Sequence, residues 1–228
     1  MAKSGFDWLV IDMEHSAIGV YEAEEIIRIV HLCGLPAIVR VGEINTNLIK
    51  RVMDSGASGV IAPMVRTKEQ ARHAVEAVKY PPAGHRGVGL ARAQGYGTSF
   101  AEYHRWVEKE STVIVQIEHV QAVNNIDTIL SIEGIDGFIV GQYDLSASLG
   151  IPGQFDHPDM KDAMERIKNV IVKGIKPSGF HVVEPDADAA FLRLQEGYSF
   201  LAFGVDFLFI GEMCRGKLRS LKERIKKL

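Results

Sequence analysis

The chain of 228 residues has few cysteines, no long apolar run and no excess of positive charge. Its two cysteines, Cys33 and Cys214, are far apart, which excludes the closely spaced thiols of zinc and redox sites and favours a reduced protein. No apolar run approaches the roughly 20 residues that span a bilayer, and the N-terminus has no signal-peptide pattern. We therefore expect a cytoplasmic protein that has no membrane partner.

The formal net charge is -3, so the chain does not present the basic field that binds nucleic acid. A basic cluster, KLRSLKERIKKL, closes the sequence, and we interpret it as the solvated face of a helix. No linker rich in proline or serine divides the chain, and its 46% hydrophobic content is enough for a large core. We expect a single domain over residues 1–228 and no nucleic-acid partner.

Short apolar runs rich in β-branched residues alternate with segments of helical periodicity, which is typical of repeated βα units. This pattern predicts an α/β fold of the TIM (β/α)8 type, with one strand fewer than eight. The predicted strands are 6–11, 37–41, 59–62, 113–117, 137–140, 177–181 and 200–204. Predicted helices include 100–110, 120–131, 158–173, 186–196 and a last helix from about 206, with Asn47 and Thr67 as helix caps earlier in the chain.

The segment 84–98, GHRGVGLARAQGYGT, interrupts this alternation and predicts a mobile functional loop. Its GxG lacks the third glycine of a dinucleotide fingerprint and does not follow a strand, which excludes a nicotinamide cofactor site. Arg86 and Arg92 are candidates for binding an anionic substrate. Solvated loop arginines are an equally ordinary interpretation, and the sequence leaves both open.

Polar residues stand where several predicted strands end: Asp12 and His15, Arg40, Glu118 and Asp144. The carboxyl ends of the strands in a parallel barrel share one face, so we expect these residues to meet there. The oxygen ligands of Glu118 and Asp144 suit Mg²⁺ or Mn²⁺, although acids at helix starts also serve as caps. The sequence thus indicates a metal site without excluding a purely structural role.

The remaining strand-end residues offer proton transfer and anion binding. His15 can act as a general base, oriented by Asp12 or Glu14, although a single loop histidine is often only structural. Arg40 can hold a substrate carboxylate or form an internal salt bridge. His181 also ends a strand and is a weaker candidate, whereas His157 is expected at a helix start.

The motifs GFDWLVIDMEH, IVRVG, GVIAPMV, KYPPAGHRGVG, VQIE and VGQYDLSASLG together resemble the HpcH/HpaI aldolases, which are metal-dependent class II pyruvate aldolases. The resemblance covers essentially the whole chain. It implies that Glu118 and Asp144 are the metal ligands, that Arg40 stabilises pyruvate and its enolate, and that His15 is the base with Asp12 as its partner.

Arg40, Gln116 and Gly141, together with Arg86 and Arg92 of the Gly-rich segment, are the expected substrate contacts. The resemblance implies cleavage of a 4-hydroxy-2-oxo acid, such as a 2-keto-3-deoxy sugar acid or 2,4-dihydroxyhept-2-enedioate, to pyruvate and an aldehyde through an enolate stabilised by Mg²⁺, Mn²⁺ or Co²⁺. It also implies a homo-oligomer, from dimer to hexamer, in which the last helix, about 206–228, is exchanged between subunits. No lysine stands at a predicted strand end among these motifs, which favours this metal route over a Schiff base.

Two departures from the family pattern accompany the resemblance: Gln142 stands where proline is common, and the first barrel strand is expected to be missing from this chain. Two other functions therefore stay open. One is the formation of a carbon–carbon bond in the manner of a citrate synthase, and the other is a truncated barrel that binds 2-oxo acids without turnover.

Overall fold

The structure is a computed structural model that describes residues 1–227. Seven parallel strands lie side by side in chain order and form a nearly closed barrel, with helices between successive strands. Within the described residues, β1 and β7 are the two edges of the sheet and are not paired with each other. The strands are β1 (Leu9–Asp12), β2 (Ala37–Arg40), β3 (Gly59–Ala62), β4 (Thr112–Ile117), β5 (Gly137–Val140), β6 (Ser178–Val182) and β7 (Phe200–Phe203).

In residues 1–227, ten α-helices connect and follow these strands, and a 3₁₀ helix at Arg92–Gly97 lies in the Gly-rich segment. Among residues 1–227, no helix is both long and apolar enough to cross a membrane. The α-helices are α1 (Val20–Leu32), α2 (Thr46–Asp54), α3 (Lys68–Val78), α4 (Phe100–Lys109), α5 (Val120–Asn124), α6 (Ile126–Leu130), α7 (Gln142–Ser148), α8 (Pro158–Lys173), α9 (Ala187–Gln195) and α10 (Asp206–Ile225).

The strands are apolar on both faces because each face packs on a different layer. Ile38, Ile61, Ile114 and Ile139, one from each of β2 to β5, fill the inside of the barrel. Their neighbours along each strand, such as Val39, pack outward against the helices. Burial of both faces explains why the strands appear in the sequence as uninterrupted β-branched runs.

Local side-chain contacts set several helix starts. The predicted capping box of α3 is confirmed, since Thr67 Oγ1 accepts a hydrogen bond from Gln70 N at 3.3 Å. His157 caps α8, as predicted. The cap of α2 is Asn45, whose Oδ1 accepts from Leu48 N at 3.0 Å, so the prediction of Asn47 was wrong by two residues.

The predicted helix 120–131 is two short helices in the structure, α5 and α6. They meet at Asn125, whose side-chain amide donates to the carbonyl oxygen of Arg66 at 2.8 Å. The break falls where the backbone of Asn125 leaves the helical region, with φ -103° and ψ 6°.

The Gly-rich segment is anchored by three of its side chains, in contrast to the mobile loop expected from its composition. Arg86 is only 1% exposed and donates to Asp54 Oδ1 at 2.5 Å, while Gln94 Nε2 donates to the same oxygen at 3.0 Å. Arg92 Nη1 donates to the carbonyl of Ser55 at 2.8 Å. These contacts fasten the segment to the C-terminal end of α2, where the chain approaches the start of β3.

Candidate active site

Asp12 and Arg40 are the last residues of β1 and β2, and they are register partners in the sheet. Arg40 donates from Nε to Asp12 Oδ1 at 2.8 Å and from Nη2 to Oδ2 at 2.6 Å, which is a bidentate pair. Burial disfavours both charged forms, but the pairing outweighs it. The pKa of Asp12 is therefore lowered, and the pKa of Arg40 is raised.

The loop after β1 folds around the carboxylate of Asp12. Oδ1 accepts from the backbone amides of Glu14, at 3.0 Å, and His15, at 3.3 Å. The acid nearest to the ring of His15 is Glu14, with 3.7 Å between Nε2 and Oε2. Asp12, expected as the partner of His15, thus binds Arg40, and it contacts His15 only through the backbone.

Glu118 follows β4 directly and is 1% exposed. Its Oε1 accepts a hydrogen bond from Met64 N at 2.6 Å, and its Oε2 accepts from Gln116 Nε2. Burial raises the pKa of Glu118 to about 7, and the nearby charges of Glu14 and Asp144 act in the same direction, although both hydrogen bonds lower it. Glu118 is therefore a buried carboxylate that faces other carboxylates.

Helix capping is the alternative explanation for the two predicted metal ligands, and the structure removes it for one of them. The cap of α5 is His119, so Glu118 is not a helix cap. Asp144 is exposed in the first turn of α7, where the helix dipole also favours an acid. A purely structural role at a helix start thus remains open for Asp144 but not for Glu118.

The residues at this end of the barrel fit a divalent cation. Glu14, Glu118 and Asp144 crowd negative charge together, and Glu14 Oε2 is a buried oxygen without a hydrogen-bond partner. No three Asp, Glu, His or Cys side chains in residues 1–227 form a metal-binding cluster. Mg²⁺ sites in enzymes commonly use only one or two carboxylates, with water and substrate completing the shell, so Glu118 and Asp144 suffice.

Gly141 allows the backbone of α7 to approach Glu118. A Cβ atom built on Gly141 would lie 2.9 Å from Glu118 Cβ and Oε2 and 3.3 Å from Gln116 Nε2. Gln116 and Gly141 both border the carboxylate of Glu118, one as a hydrogen-bond donor and the other by leaving space. Contact of either residue with substrate stays a prediction.

Within one chain, the structure does not bring Arg86 and Arg92 to this group of residues. Both contact the C-terminal end of α2, through Asp54 and Ser55. That end of α2 leads into β3, so the two arginines lie where the strands begin, opposite the face that holds Arg40. We leave them out of the proposed site.

Two further groups border the site. His181, in β6, is half-buried, and its pKa is lowered by burial and by the charge of Arg40, which favours the neutral imidazole. The backbone amide of Met64 binds Glu118, and Met64 has a φ of 53°. Every residue except proline has a backbone amide, so the sequence had no signal for the role of Met64. His181, in contrast, was predictable from its position at a strand end.

Acids, an arginine and a histidine at the carboxyl end of a parallel (β/α) barrel define an enzyme site. The family model described as HpcH/HpaI aldolase/citrate lyase matches residues 1–210, and the chain belongs to this family. It is therefore an aldolase, a carbon–carbon lyase of class II, and this class implies dependence on a divalent metal.

The chain is similar to several known proteins. The chain is 39% identical over 223 residues to a 2-keto-3-deoxy-L-rhamnonate aldolase of Escherichia coli (strain K12), covering 97% of this chain and 82% of the relative. A solved HpcH/HpaI aldolase/citrate lyase family protein from Burkholderia cenocepacia J2315 has a TM-score of 0.90 and 31% identity, over 97% of this chain and 88% of that one. The solved citrate synthase SbnG has a TM-score of 0.86 and 28% identity, over 99% and 87% of the two chains.

Proposed function

We propose that this protein cleaves a 2-keto-3-deoxy sugar acid, a type of 4-hydroxy-2-oxo acid, to pyruvate and an aldehyde. The observation that carries the proposal is the bidentate pair of Asp12 with Arg40 beside the buried carboxylate of Glu118. The charge of Glu118 raises the pKa of Arg40, and the charge of Asp144 raises the pKa of Glu118, so these groups lie near one another. The relatives named 2-keto-3-deoxy-L-rhamnonate aldolase support the choice of substrate class.

Glu118 and Asp144 would hold the divalent ion, which supplies Lewis acidity that stabilises the negative charge left on the 2-oxo acid when the bond breaks. Arg40 lies close enough to Glu118 for that charge to raise its pKa, so its guanidinium can share the negative charge of the substrate. Gln116 and the amide of Met64 keep the Glu118 carboxylate in one orientation.

His15 is the group that we assign to proton transfer. Its ring is 60% exposed at the barrel mouth and lies beside Glu14, so it can reach a substrate entering from solvent. It would take the proton of the C4 hydroxyl while the C3–C4 bond breaks, which leaves the aldehyde carbonyl at C4. The bonding electrons pass to C3 and the 2-oxo group, and protonation at C3 then gives pyruvate.

The test is pyruvate release from a panel of 4-hydroxy-2-oxo acids by protein treated with EDTA, and again after addition of Mg²⁺, Mn²⁺ or Co²⁺. The panel contains 2-keto-3-deoxy-L-rhamnonate, other 2-keto-3-deoxy sugar acids and 2,4-dihydroxyhept-2-enedioate. We expect release only with metal, and greatest with a sugar acid. Equal release with and without EDTA would contradict the metal-dependent mechanism, and release only from the dicarboxylate would contradict the substrate class.

The likeness to the citrate synthase SbnG favours one second candidate, a reaction that forms a carbon–carbon bond. The same residues would stabilise an enolate that attacks a different acceptor. Incubation with oxaloacetate and an acyl donor distinguishes the two functions, because only a synthase would form citrate.

We further propose that the protein is a homo-oligomer, from dimer to hexamer, and that α10 packs on another subunit. No residue of α10 or α9 is buried within one chain. Phe207, Ile210 and Met213 of α10 are exposed, as are Phe191 and Leu192 of α9. Light scattering checks this proposal: we expect the oligomer to dissociate when Phe207 and Ile210 are both changed to serine.

We also propose a cytoplasmic location. Cys33 and Cys214 are both free and exposed, and free thiols persist in a reducing compartment. Fractionation of the native cells, with detection of the protein by antibody, tests this location.

A further inference from the structure

Glu14 Oε2 is a buried carboxylate oxygen that accepts no hydrogen bond, and the mechanism above gives it no task. It is one of only two such unsatisfied side-chain atoms in residues 1–227. Burial raises the pKa of Glu14, which means that its charged form is costly where it stands. A neutral side chain of similar size would destabilise the folded state less, so stability does not explain a glutamate at this position.

The position of Glu14 relative to Arg40 suggests what the carboxylate does. Asp12 occupies Nε and Nη2 of the guanidinium and leaves Nη1 free of it. Glu14 Oε2 lies 3.4 Å from Nη1, and the side chains of Glu14 and Arg40 are only 13% and 14% exposed. Two carboxylates therefore hold the guanidinium from two sides.

The loop geometry links these contacts. Asp12 Oδ1 accepts hydrogen bonds from both Arg40 Nε and the backbone amide of Glu14. One carboxylate therefore positions both residues. On its other side, Glu14 Oε2 is 3.7 Å from His15 Nε2. Glu14 is thus the only acid whose carboxylate lies between the arginine and the histidine of the proposed site in the described part of the chain.

We infer that Glu14 is a positioning residue for the aldolase reaction: its carboxylate holds Arg40 Nη1, so that the remaining N–H groups of the guanidinium face the substrate. The inference rests on the proposed function. A guanidinium held only by Asp12 could pivot about that edge, and its other nitrogen would no longer be directed by the protein. The titratable and charged groups that face Glu14 are Arg40 from β2, Asp12 at the end of β1, His15 from the loop of Glu14, Asp144 from α7 and Glu118 after β4.

A double-mutant cycle tests whether Glu14 acts through Arg40. The four proteins are the wild type, E14Q, R40K and the double variant, and kcat and KM for pyruvate release are measured for each. Lysine keeps the positive charge but has no fork for two carboxylates to hold. E43Q is the matched control, because Glu43 is an exposed carboxylate that follows the same strand as Arg40.

We expect E14Q to lower kcat/KM about tenfold in the presence of Arg40 and by less than about twofold in the R40K background, since the coupling of contacting residues is lost with either partner. The E43Q variant should match the wild type. Equal losses from E14Q in both backgrounds would overturn the inference, because they would show that Glu14 acts independently of Arg40.

A second measurement requires no turnover. Hydrogen exchange of the Arg40 Nη protons is followed by ¹⁵N NMR in the metal-free protein, with the signals identified by their loss in R40K. We expect exchange about tenfold faster in E14Q than in the wild type, from loss of the ion pair; unchanged exchange overturns the role of Glu14. A wild type without aldolase activity would contradict the proposed function alone, and the NMR result would still decide the role of Glu14.

Discussion

Gly141 and Glu118 lie so close together that a single methyl group between them would collide with the carboxylate: a Cβ on Gly141 would be 2.9 Å from both Cβ and Oε2 of Glu118. The two residues come from different βα units, since Glu118 follows β4 and Gly141 follows β5. The packing of these two chain segments therefore determines where the proposed metal ligand points.

Changing Gly141 to alanine should displace the Glu118 carboxylate. We expect G141A to bind Mn²⁺ at least about tenfold more weakly, because a ligand moved by less than 1 Å loses much of its contribution. Titration calorimetry checks the affinity. G216A is the control, since a Cβ on Gly216 has no atom within 4 Å, and it should bind the metal as the wild type does.

Removal of either proposed ligand should abolish metal-dependent turnover. In E118A and D144A, one carboxylate is left to hold the ion, so addition of metal to saturation should not restore pyruvate release. D206N, at the exposed start of α10, removes a carboxylate of the same kind and should keep activity. Full activity of either alanine variant would disprove its assignment as a ligand.

Replacement of His15 should separate proton transfer from metal binding. We expect H15A to bind Mn²⁺ with the affinity of the wild type and to lose about 10² to 10⁴ in kcat, the usual contribution of a general base. Calorimetry and pyruvate release measure the two properties. A variant that retained kcat would move the role of base to another group, and His181 would be the first to examine.

The Asp12–Arg40 pair should give the protein a stability component that depends on pH. Although burial raises the pKa of Asp12, the contacts with Arg40 and two backbone amides lower it below the usual 3.8. A lowered pKa stabilises the folded state above the usual pKa, and the effect is lost as pH falls through the lowered value.

We therefore expect D12N to reduce the free energy of unfolding by about 2 kcal/mol at pH 7, the usual worth of hydrogen bonds to a charged group. The difference from the wild type should shrink when the pH is taken below 3.8. Urea denaturation at several pH values measures it. A difference that stays constant with pH would show that the charge of Asp12 is not what stabilises the fold.

Arg86 should be important for stability. It is buried against Asp54 and Tyr103, so R86M would leave the carboxylate of Asp54 without its cation and cost about 3 kcal/mol of unfolding free energy. The exposed Arg105 is the control, and R105M should change stability by less than about 0.5 kcal/mol. Limited proteolysis should cleave R86M within the Gly-rich segment faster than the wild type. Equal stability of R86M and R105M would contradict a structural role for Arg86.

The strands were predictable because burial on both faces produces uninterrupted runs of apolar residues. The ends of these runs then located the strand-end residues. Arg40 and Glu118 stood out for the opposite reason, since charged residues directly at the end of such runs are costly unless they have partners. Family resemblance then supplied the chemistry that charge and position could not.

What the sequence could not predict depends on contacts between distant segments. The anchoring of Arg86 by Asp54 joins residues 32 positions apart, and glycine content alone suggested mobility. The pairing of Asp12 with Arg40 instead of the His15 ring depends on strand register, which local patterns do not reveal. The contact of Asn125, at the break between α5 and α6, with the carbonyl of Arg66 joins residues 59 positions apart.

The bidentate contact between Asp12 and Arg40 joins the site to β1, which is an edge of the sheet in the described residues. Asp12 lies opposite Arg40 in the parallel register of β1 with β2. Separation of these two strands would remove the carboxylate that holds the guanidinium, while β2 to β7 stayed paired. The activity of the enzyme is therefore tied to the pairing of β1 with β2.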